Sequence, residues 1–590
     1  EAGLDRGVRR AQGTHFTPRA ITERVVARAL DALELGEREV ASIRVLDPAM
    51  GAGAFLCEAL RQIVGRAGLR DTPEARKQVA LQSLCGVDKD AAAVRAARES
   101  LWAAVGDPSL DPAAFDATLI AGDALFDSPF RGETFDLVIG NPPFLGGKRI
   151  RTVHGDAYAD ALVALHPPAN KNTDLAAHFL RLGFDRLRPG GVIAYVVTNT
   201  IAQGDTREGG LAEVVRGGGT IFAAERRVPW PGVAGVVVSL LWIRRGGVPG
   251  PRMLDGREVP TIDAFLSEHD RRSDPERLAE NRDRAFIGCF LRGKGFIFDD
   301  RASDATPLAV MRSILERRPE SKEVVFPFLG GEEVLADPEQ RPHRWVIHFG
   351  DRTEAEARQR FPELFEIVER KVRPFREARD ATQADKVHAR TWWRFANRRP
   401  ELEEKKRGLD RVIGLPRMSS NVVAAFLPSH FVCSDQLVVV ASSSPAVLAL
   451  LSSSVHEAWT RLFASTLGDG IRYTPSDVFE TFPLPTATFA ELEAHPGLCE
   501  AGAAFDGVRS RTLRELGIGI TALLGRIARG DTEGEAGKVA RAKRALDEAV
   551  LRAYGWQDLA LARESREILQ RLFERGAGLL AGQVLDAAPL

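Results

Sequence analysis

Short apolar runs alternate with helical stretches over residues 43–243, and this alternation constrains the fold more than any other feature of the sequence. Several runs are apolar on both faces and stop at turn residues, which is typical of strands covered on both sides in a parallel sheet. Helical periodicity lies between them, notably over residues 91–105 and 174–187. The pattern predicts an α/β fold with a doubly wound, Rossmann-like sheet. The strand candidates are "SIRVLDP", "SLCGVDKD", "TLIAGDALF", "FDLVIGNPP", "GGVIAYVVTN" and "GVVVSLLWIRR".

One further pair of strands is predicted on either side of "PWPGVAG". The two strands are close together and leave no room for a helix between them. Parallel neighbours need a long crossover connection, whereas antiparallel neighbours can be joined by a short turn. We therefore expect an antiparallel hairpin, placed at the edge of the sheet.

After residue 243 the composition and the hydrophobic periodicity of the chain change. "RRGGVPGPRMLDGREVP" is rich in Gly and Pro and predicts a linker. Residues 325–490 mix short strands, turns and charged segments, as in a separate α+β domain, and the last hundred residues have apolar positions at helical spacing. We expect a first domain over 1–250, a linker and connecting segment over 251–324, a second domain over 325–490 and a helical region over 491–590.

Composition and charge favour an ordinary soluble protein of a reducing compartment. The formal net charge is -1, so any case for nucleic-acid binding must rest on local clusters of cations. The five cysteines are far apart and form no C-x-x-C pair, which argues against a disulfide framework and against structural zinc. No apolar run approaches the ~20 residues that a membrane span needs, and no signal peptide is recognisable. These features predict a cytoplasmic protein with no membrane partner and no structural metal.

Acidic residues end three successive predicted strands. Asp47 precedes a turn containing Gly51 and Gly53, where the backbone can pass close to a ligand because glycine has no side chain. Asp88 ends "CGVDKD", where a carboxylate can accept both hydroxyls of a ribose. Asp123 follows in "AGDALF" and can accept an exocyclic amine. Taken singly, the turn could be a tight turn and each aspartate a helix cap, but the succession favours a nucleoside-bearing cofactor.

The fourth strand candidate ends in "NPPF", residues 141–144. Asn141 would stand at the carboxyl end of the sheet, where open α/β folds bind their ligands. Two prolines fix the backbone, so an acceptor carried by this turn is aimed in advance. A rigid turn with a core phenylalanine is the alternative interpretation of the same residues.

The order "HFTP", "DPAMGAG", "GVDKD", "GDALF", "NPPF" resembles that of the gamma-class amino-methyltransferases, which methylate N6 of adenine in DNA. The resemblance implies S-adenosyl-L-methionine as the cofactor and a methyltransferase fold for the first domain. The catalytic residues that it implies are Asn141, Pro142, Pro143 and Phe144. The cofactor-binding residues that it implies are Phe16, Thr17, Pro18, Asp47, Pro48, Gly51, Gly53, Phe55, Asp88, Asp123, Ala124 and Asn141.

Later segments are similar to the target-recognition part of the Type IIL (MmeI-like) restriction-modification enzymes and of BREX and DISARM phage-defence methyltransferases. They include "VVFPFLGGEEV", "TWWRFANRRPEL" and "GIRYTPSDVFETFPLP". Type IIL enzymes also carry an amino-terminal nuclease. Here the cofactor motif begins at residue 15, so we expect a chain that only modifies DNA, unless a nuclease was removed with the missing start.

Basic and aromatic residues in these segments, and just after NPPF, are candidate contacts to double-stranded DNA. Residues 370–417 hold 15 Lys or Arg against 7 Asp or Glu, interleaved with aromatics. Solvated surface charge is an equally good explanation of such clusters taken alone. The candidates are Lys148, Arg149, Arg151, Arg390, Trp392, Trp393, Arg394, Arg398, Arg417, Arg472 and Tyr473.

Together these features predict a DNA adenine-N6 methyltransferase that marks host DNA in an anti-phage or restriction system. Proteins of such a system are candidate partners. Two alternatives stay open. One is an RNA or protein (glutamine) amino-methyltransferase, because an amide and an aromatic amine present the same chemical problem. The other is a non-catalytic DNA-recognition subunit of a larger complex.

Overall fold

The computed structural model describes ten stretches of the chain and divides into two compact units, Glu1–Asp274 and Pro275–Leu590. Each unit has its own apolar core, and each is described by itself. The described stretches are residues 17–33, 42–68, 70–127, 129–230, 237–268, 275–378, 383–467, 470–531, 533–559 and 565–580.

A nine-stranded sheet runs through the described part of the first unit, in the order β3-β2-β1-β4-β5-β7-β6-β8-β9. Strands β3, β2, β1, β4 and β5 pair in parallel, as the apolar runs predict. The strand order reverses between β1 and β4, which creates a switch point where open α/β sheets bind ligands. The strands are β1 (Val45–Asp47), β2 (Leu84–Asp88), β3 (Leu119–Ala121), β4 (Phe135–Gly140), β5 (Leu187–Val197), β6 (Gly219–Pro229), β7 (Val237–Arg245), β8 (Arg252–Leu254) and β9 (Arg257–Val259).

The predicted hairpin forms, because β6 and β7 pair antiparallel. Its predicted edge position is wrong. Strand β7 lies between β5 and β6, and β6 also pairs in parallel with β8, which is followed by β9. The segment expected to be a linker therefore starts with two strands that extend the sheet. The turn of the hairpin, residues 231–236, lies outside the described residues.

Helices cover both faces of the sheet, which confirms the doubly wound fold. Leu137 and Ile139 of β4 face one apolar cluster, whereas Val138 between them faces the other. This is the two-residue alternation of a strand buried on both sides. The helices are α1 (Arg19–Asp31), α2 (Ala54–Arg66), α3 (Pro73–Ser83), α4 (Ala91–Val105), α5 (Gly147–His154), α6 (Asp156–Leu165), α7 (Leu175–Asp185), α8 (Gly204–Thr206) and α9 (Ala212–Arg216), with single turns at Pro112–Phe115, Asn199–Ala202 and Arg207–Leu211.

The second unit is built on three small sheets within its described residues. Their strand orders are β10-β18-β14-β16, β11-β13-β12-β17 and β15-β20-β19. Most pairs are antiparallel, and the one between β12 and β17 is parallel. The strands are β10 (Ala285–Ile287), β11 (Ile297–Phe298), β12 (Val325–Leu329), β13 (Arg344–Ile347), β14 (Arg411–Pro416), β15 (Met418–Ser419), β16 (Ala425–Pro428), β17 (Val432–Cys433), β18 (Leu437–Val440), β19 (Ser465–Leu467) and β20 (Gly470–Arg472).

Helices pack around these sheets, and the chain ends in a helical region, as its periodicity predicts. Leu498, Leu513 and Val550 of the late helices share one apolar cluster with strands β14 and β18. The helices are α10 (Leu308–Arg317), α11 (Gly331–Ala336), α12 (Glu354–Arg360), α13 (Pro362–Glu377), α14 (Gln383–Arg390), α15 (Pro400–Lys406), α16 (Pro445–Leu451), α17 (Ser454–Phe463), α18 (Phe489–Ala494), α19 (Pro496–Leu516), α20 (Ile520–Ala528), α21 (Gly534–Tyr554) and α22 (Ser565–Leu580), with single turns at Ala279–Asn281, Lys294–Phe296, Pro319–Val324 and Pro475–Phe479.

Candidate active site

Three predicted site residues meet at the carboxyl edge of the parallel sheet. Asp47 is the last residue of β1, Asp88 is the last residue of β2, and Asn141 follows directly after β4. Because β1 is paired with both β2 and β4, the ends of these strands are neighbours. The switch point of the sheet therefore carries two carboxylates and one amide.

The backbone around Asp47 needs glycine at several positions. Gly51 and Gly53 have φ of +54° and +82°, a region that side chains with a Cβ rarely adopt. Gly140, with φ +150°, lies so close to Asp47 that a Cβ there would stand 2.6 Å from the Asp47 Oδ1 atom. A turn this tight brings backbone groups and the carboxylate into one small space.

The Asp47 carboxyl is buried and only partly satisfied. The residue is 1% exposed, and Oδ1 accepts a hydrogen bond from the Ala49 amide at 3.1 Å. Oδ2 has no hydrogen-bond partner. The pKa of Asp47 is raised to about 8, mainly by burial; the Ala49 hydrogen bond lowers it, and the nearby charge of Asp88 raises it. An acceptor left over in a buried position fits a cationic donor such as an ammonium group.

Asp88 ties the glycine turn to the second strand. Its Oδ2 accepts from the Gly51 amide at 2.9 Å, and its Oδ1 accepts from the Asp90 amide at 2.9 Å. Burial raises the pKa of Asp88 as well. Each oxygen of a carboxylate has a second lone pair, so Asp88 can still accept hydroxyl groups.

Asp123 already has partners in this structure. Its Oδ1 accepts from the Leu125 amide at 3.0 Å, and its Oδ2 lies 3.0 Å from Lys89 Nζ. Burial and the nearby Asp123 carboxylate raise the pKa of Tyr158 of α6, and Lys89 Nζ lies 4.4 Å from the centre of the Tyr158 ring. Sequence reasoning missed Lys89 and Tyr158. Lys89 stands next to Asp88 in a quoted motif, whereas nothing local marks Tyr158.

Asn141 is held by one end of its amide. Nδ2 donates to Thr17 Oγ1 at 3.1 Å, while Oδ1 is buried and has no hydrogen-bond partner. The next residue, Pro142, is buried, and its carbonyl accepts no hydrogen bond from the described residues. Phe144 is half-buried and packs against the apolar cluster of α1 and α2. The NPPF turn thus presents two acceptors that no described residue uses.

The other predicted cofactor residues surround this edge in different ways. Pro18 immediately precedes α1, Pro48 is buried in the turn after β1, and Phe55 and Ala124 are core side chains. Phe16 lies outside the described residues.

The predicted DNA contacts of the first unit lie on α5. Lys148 makes no side-chain hydrogen bond or ion pair to the described residues, and it is exposed. Arg149 is exposed beside it. Arg151 forms ion pairs with two residues of α6, Asp156 at 2.7 Å and Asp160 at 2.6 Å. Its charge is therefore partly neutralised within the protein.

The two tryptophans predicted to pack against nucleic acid both make contacts within the fold. Trp392 is 4% exposed and stands edge-on to Phe365, with ring centres 5.1 Å apart. Trp393 donates its Nε1 hydrogen to the Arg352 carbonyl at 3.1 Å. Trp392 has no face left for a nucleic acid, because its ring fills the core.

Two arginines of the same segment fasten it to the loop at residues 350–352. Arg394 donates to the carbonyls of Arg352 and Asp351, the latter at 2.6 Å. Arg398 donates to the Gly350 carbonyl at 3.0 Å and pairs with Asp351. These guanidinium groups therefore stabilise a loop–loop contact.

Of the four remaining candidate DNA contacts, two have partners within the protein and two are exposed. Arg417 donates to the Asp435 carbonyl at 2.8 Å, and Tyr473 is 2% exposed with its hydroxyl 3.0 Å from His456 Nε2. By contrast, Arg472 and Arg390 are exposed and make no side-chain hydrogen bond or ion pair within the described stretches. Burial first, then the like charge of Arg472, lowers the pKa of Arg417, which indicates that the two cations are near each other.

The described residues contain no candidate membrane span and no candidate metal site. No helix there has the length and apolar character of a membrane span. No three side chains of His, Cys, Asp or Glu in those stretches are grouped so that they could hold a metal ion.

Two protein families match the chain. The family described as N-6 DNA Methylase matches residues 7–214, and the family described as MmeI, target recognition domain, matches residues 304–486. The first match contains every residue of the carboxyl-edge site. The second contains all the candidate DNA contacts of the second unit.

Solved structures with a similar fold include restriction-modification enzymes. The Type IIL enzyme MmeI in complex with DNA matches with a TM-score of 0.74 at 18% identity, covering 98% of this chain and 80% of that one. The Type ISP enzyme LlaBIII bound to DNA matches with a TM-score of 0.47 at 12% identity, covering 84% and 39%. A DrdV–DNA complex matches with a TM-score of 0.42 at 14% identity, covering 85% and 58%.

No curated protein sequence matches the chain. The two matched regions follow each other along the chain in the order that the resemblance implies, methylase first and target recognition second. The expected resemblance is thereby confirmed. The chain therefore contains a region that matches the N-6 DNA Methylase family, followed by a region that matches the MmeI target recognition domain.

Proposed function

We propose that this protein transfers the methyl group of S-adenosyl-L-methionine to the N6 amine of an adenine that has been turned out of double-stranded DNA. The adenine lies in a sequence read by the second unit. The modification marks host DNA in a restriction or anti-phage system. The proposal rests on the residues at the carboxyl edge of the sheet and on the two matched families.

The single observation that carries the catalytic part is the unsatisfied Oδ1 atom of Asn141. A buried polar atom without a partner costs roughly 1 to 3 kcal/mol, so one that stands among other candidate site residues is a candidate for ligand binding. The Asn141 amide is held at its other end by Thr17, so Oδ1 is the end left for a ligand. An amine with two hydrogens is a ligand of the right chemistry.

The reaction explains why two acceptors are needed. The lone pair of an aromatic amine is delocalised into the ring, which makes the nitrogen a poor nucleophile. Asn141 Oδ1 and the Pro142 carbonyl accept the two amine hydrogens and favour a tetrahedral nitrogen whose lone pair is available. The proline-bound turn aims both acceptors before the base arrives, so little ordering is needed during the reaction.

The residues near Asp47 fit the proposed cofactor. When bound, S-adenosylmethionine supplies an electrophilic methyl group on a sulfonium. The Asp47 Oδ2 atom is an unused acceptor that suits the ammonium of the methionine part, and the glycine turn lets the chain lie close beside it. Asp88 retains lone pairs for the ribose hydroxyls, and Asp123 for the adenine amine.

The candidate side chains that have no partner among the described residues are assigned to DNA binding. The target base must leave the helix stack, at a cost of a few kcal/mol. Stacking on Phe144 offsets roughly 1 to 3 kcal/mol of that cost. Lys148, Arg390 and Arg472 are exposed cations suited to the phosphate backbone.

The experiment compares wild type with Asn141→Ala in two assays. Methylation is followed by sequencing modified bases in DNA from cells that express the chain, and cofactor affinity is measured by calorimetry with S-adenosylhomocysteine. We expect Asn141→Ala to lose adenine methylation while the dissociation constant changes little. Asp47→Ala is the converse control, because it removes the acceptor for the cofactor and should weaken binding. Wild-type methylation by Asn141→Ala, or transfer by wild type only to RNA or to a glutamine peptide, would contradict the proposal.

A further inference from the structure

Thr17 stands where a cofactor-binding residue was expected, yet its hydroxyl contacts the catalytic turn. The distance from Asn141 Nδ2 to Thr17 Oγ1 is 3.1 Å, and the two residues are 124 positions apart in the chain. Thr17 is 5% exposed, so water does not compete freely for its hydroxyl. Among the described residues this is the hydrogen bond that holds the Asn141 side chain.

The segment that carries Thr17 is rigidly anchored. Helix α1 begins two residues later, and the amides of Ile21 and Thr22 both bond to the Pro18 carbonyl. Trp242 in the middle of the sheet donates to the Val25 carbonyl of α1 at 2.9 Å. A hydroxyl held by such a frame can define the position of whatever it bonds to.

Arg24 and Arg28 of α1 add a second anchor, since both reach Glu225 of β6 at 3.1 Å. The helix is thus fixed to two strands of the sheet. Thr17 directly precedes Pro18, whose ring restricts the backbone, and α1 begins at the next residue. The position of the Thr17 hydroxyl is therefore fixed along with the helix.

The amide of an asparagine has two ends of opposite chemistry. Only the orientation with Oδ1 toward the base can accept an amine hydrogen, and in that orientation Nδ2 needs an acceptor of its own. The Thr17 hydroxyl can serve as that acceptor. If the hydroxyl were missing, the productive orientation would leave a buried N–H unsatisfied, and other orientations of the amide would compete.

We propose that Thr17 is a positioning residue for catalysis, whose hydroxyl holds the Asn141 amide with its oxygen toward the amine to be methylated. This inference rests on the proposed function of Asn141 and deepens it. It assigns Thr17 to the catalytic step, whereas the motif alone places it next to the cofactor.

The test compares Thr17→Val, which keeps the shape and removes the hydroxyl, with Thr17→Ser, which keeps the hydroxyl. We expect Thr17→Val to lower kcat for DNA methylation roughly 10- to 100-fold, the effect of losing one hydrogen bond to a reacting group. The dissociation constant for S-adenosylhomocysteine should stay within about twofold. Thr17→Ser should recover most of kcat.

Thr22→Val is the matched control. Thr22 lies on α1, the helix that follows Thr17, and is buried; within the described residues its hydroxyl donates to the Arg19 carbonyl, at 2.9 Å. Its replacement should leave kcat unchanged, and thermal unfolding of all variants shows whether any of them is damaged as a whole.

If Thr17 acted in cofactor binding, Thr17→Val would have a larger dissociation constant for S-adenosylhomocysteine and an unchanged kcat. This result would overturn the inference. A Thr17→Val enzyme with wild-type kcat would do the same. Crystal structures of wild type and Thr17→Val provide a readout that needs no activity. The Asn141 amide should bond to Thr17 in the first and be displaced in the second, and an amide with the same position in both would refute the positioning role. Failure of wild type to methylate any DNA would instead count against the proposed function.

Discussion

The carboxyl edge of the first unit and the basic, aromatic segment of the second unit were both predicted as functional from clusters of suggestive residues. At the edge, Asp47 Oδ2 and Asn141 Oδ1 are buried acceptors without partners. In the segment at residues 391–398, Trp392 fills the core, and Arg394 bonds to backbone carbonyls. The same kind of sequence signal therefore had two outcomes.

The difference teaches which polar or aromatic groups remain available to a ligand. A fold satisfies nearly all of its buried polar groups, so an unsatisfied one is a candidate for binding. A side chain whose donors or faces are already used contributes stability and little else. The predictions below test this division, beginning with the largest expected effect.

Trp392→Ala should destabilise the second unit by about 3 to 5 kcal/mol, because it removes a fully buried aromatic side chain. Chemical denaturation followed by fluorescence measures this effect. Trp102→Ala is the comparison, since Trp102 is 36% exposed and its loss should cost less. If Trp392→Ala folded with wild-type stability and only weakened DNA binding, the division between the two regions would fail.

Asp47→Asn should stabilise the cofactor-free protein at pH 8 by about 1 to 3 kcal/mol, because it removes the cost of a buried, partly unpaired carboxylate. The folded-state pKa of about 8 lies above the ordinary value of 3.8. The folded protein therefore binds the proton more tightly than the unfolded chain, and stability falls as pH rises through that window.

The pH dependence gives a second measure of the same effect. Thermal unfolding between pH 5 and 9 should show a weaker decline for Asp47→Asn than for wild type, and the variant should bind S-adenosylhomocysteine less tightly. Identical slopes for both proteins would mean that Asp47 does not have the raised pKa described above.

The smallest expected effects on stability are those of Arg394→Ala and Arg472→Ala, which remove one arginine with partners and one without a side-chain partner among the described residues. Arg394 bonds to loop carbonyls, so its loss should destabilise the second unit by about 1 to 3 kcal/mol. Arg472 makes no such bond within the described residues, so its loss should change stability by less than about 0.5 kcal/mol.

The Arg394→Ala and Arg472→Ala variants should also differ in their affinity for DNA. Arg472→Ala should weaken binding and reduce the salt dependence by about one phosphate contact, measured as the slope of log affinity against log salt. An unchanged slope for Arg472→Ala would remove it from the DNA-binding surface.

Much of the first unit could be predicted because its signals are local. Residues 91–105 show helical periodicity and form α4 with the same bounds, and the runs apolar on both faces became the central parallel strands. The hairpin was predicted as a pair but misplaced at the edge, because β8 and β9 lie in a Gly- and Pro-rich stretch that resembles a linker. Strands β1 and β3 are equally short but belong to apolar runs that end in acidic turns, whereas no apolar run marks β8 and β9.

The amino-acid sequence by itself determined the α/β class, the order of the two matched families and the residues at the ends of β1, β2 and β4, because strand periodicity, turn residues and motif spacing are all local properties. The tertiary structure alone decided which of the suggestive side chains are still available. Thr17 meets Asn141 across 124 residues, Tyr158 meets Asp123, and Trp392 and Tyr473 turn inward. Burial and hydrogen-bond partners depend on segments distant in the chain, so no local pattern can specify them.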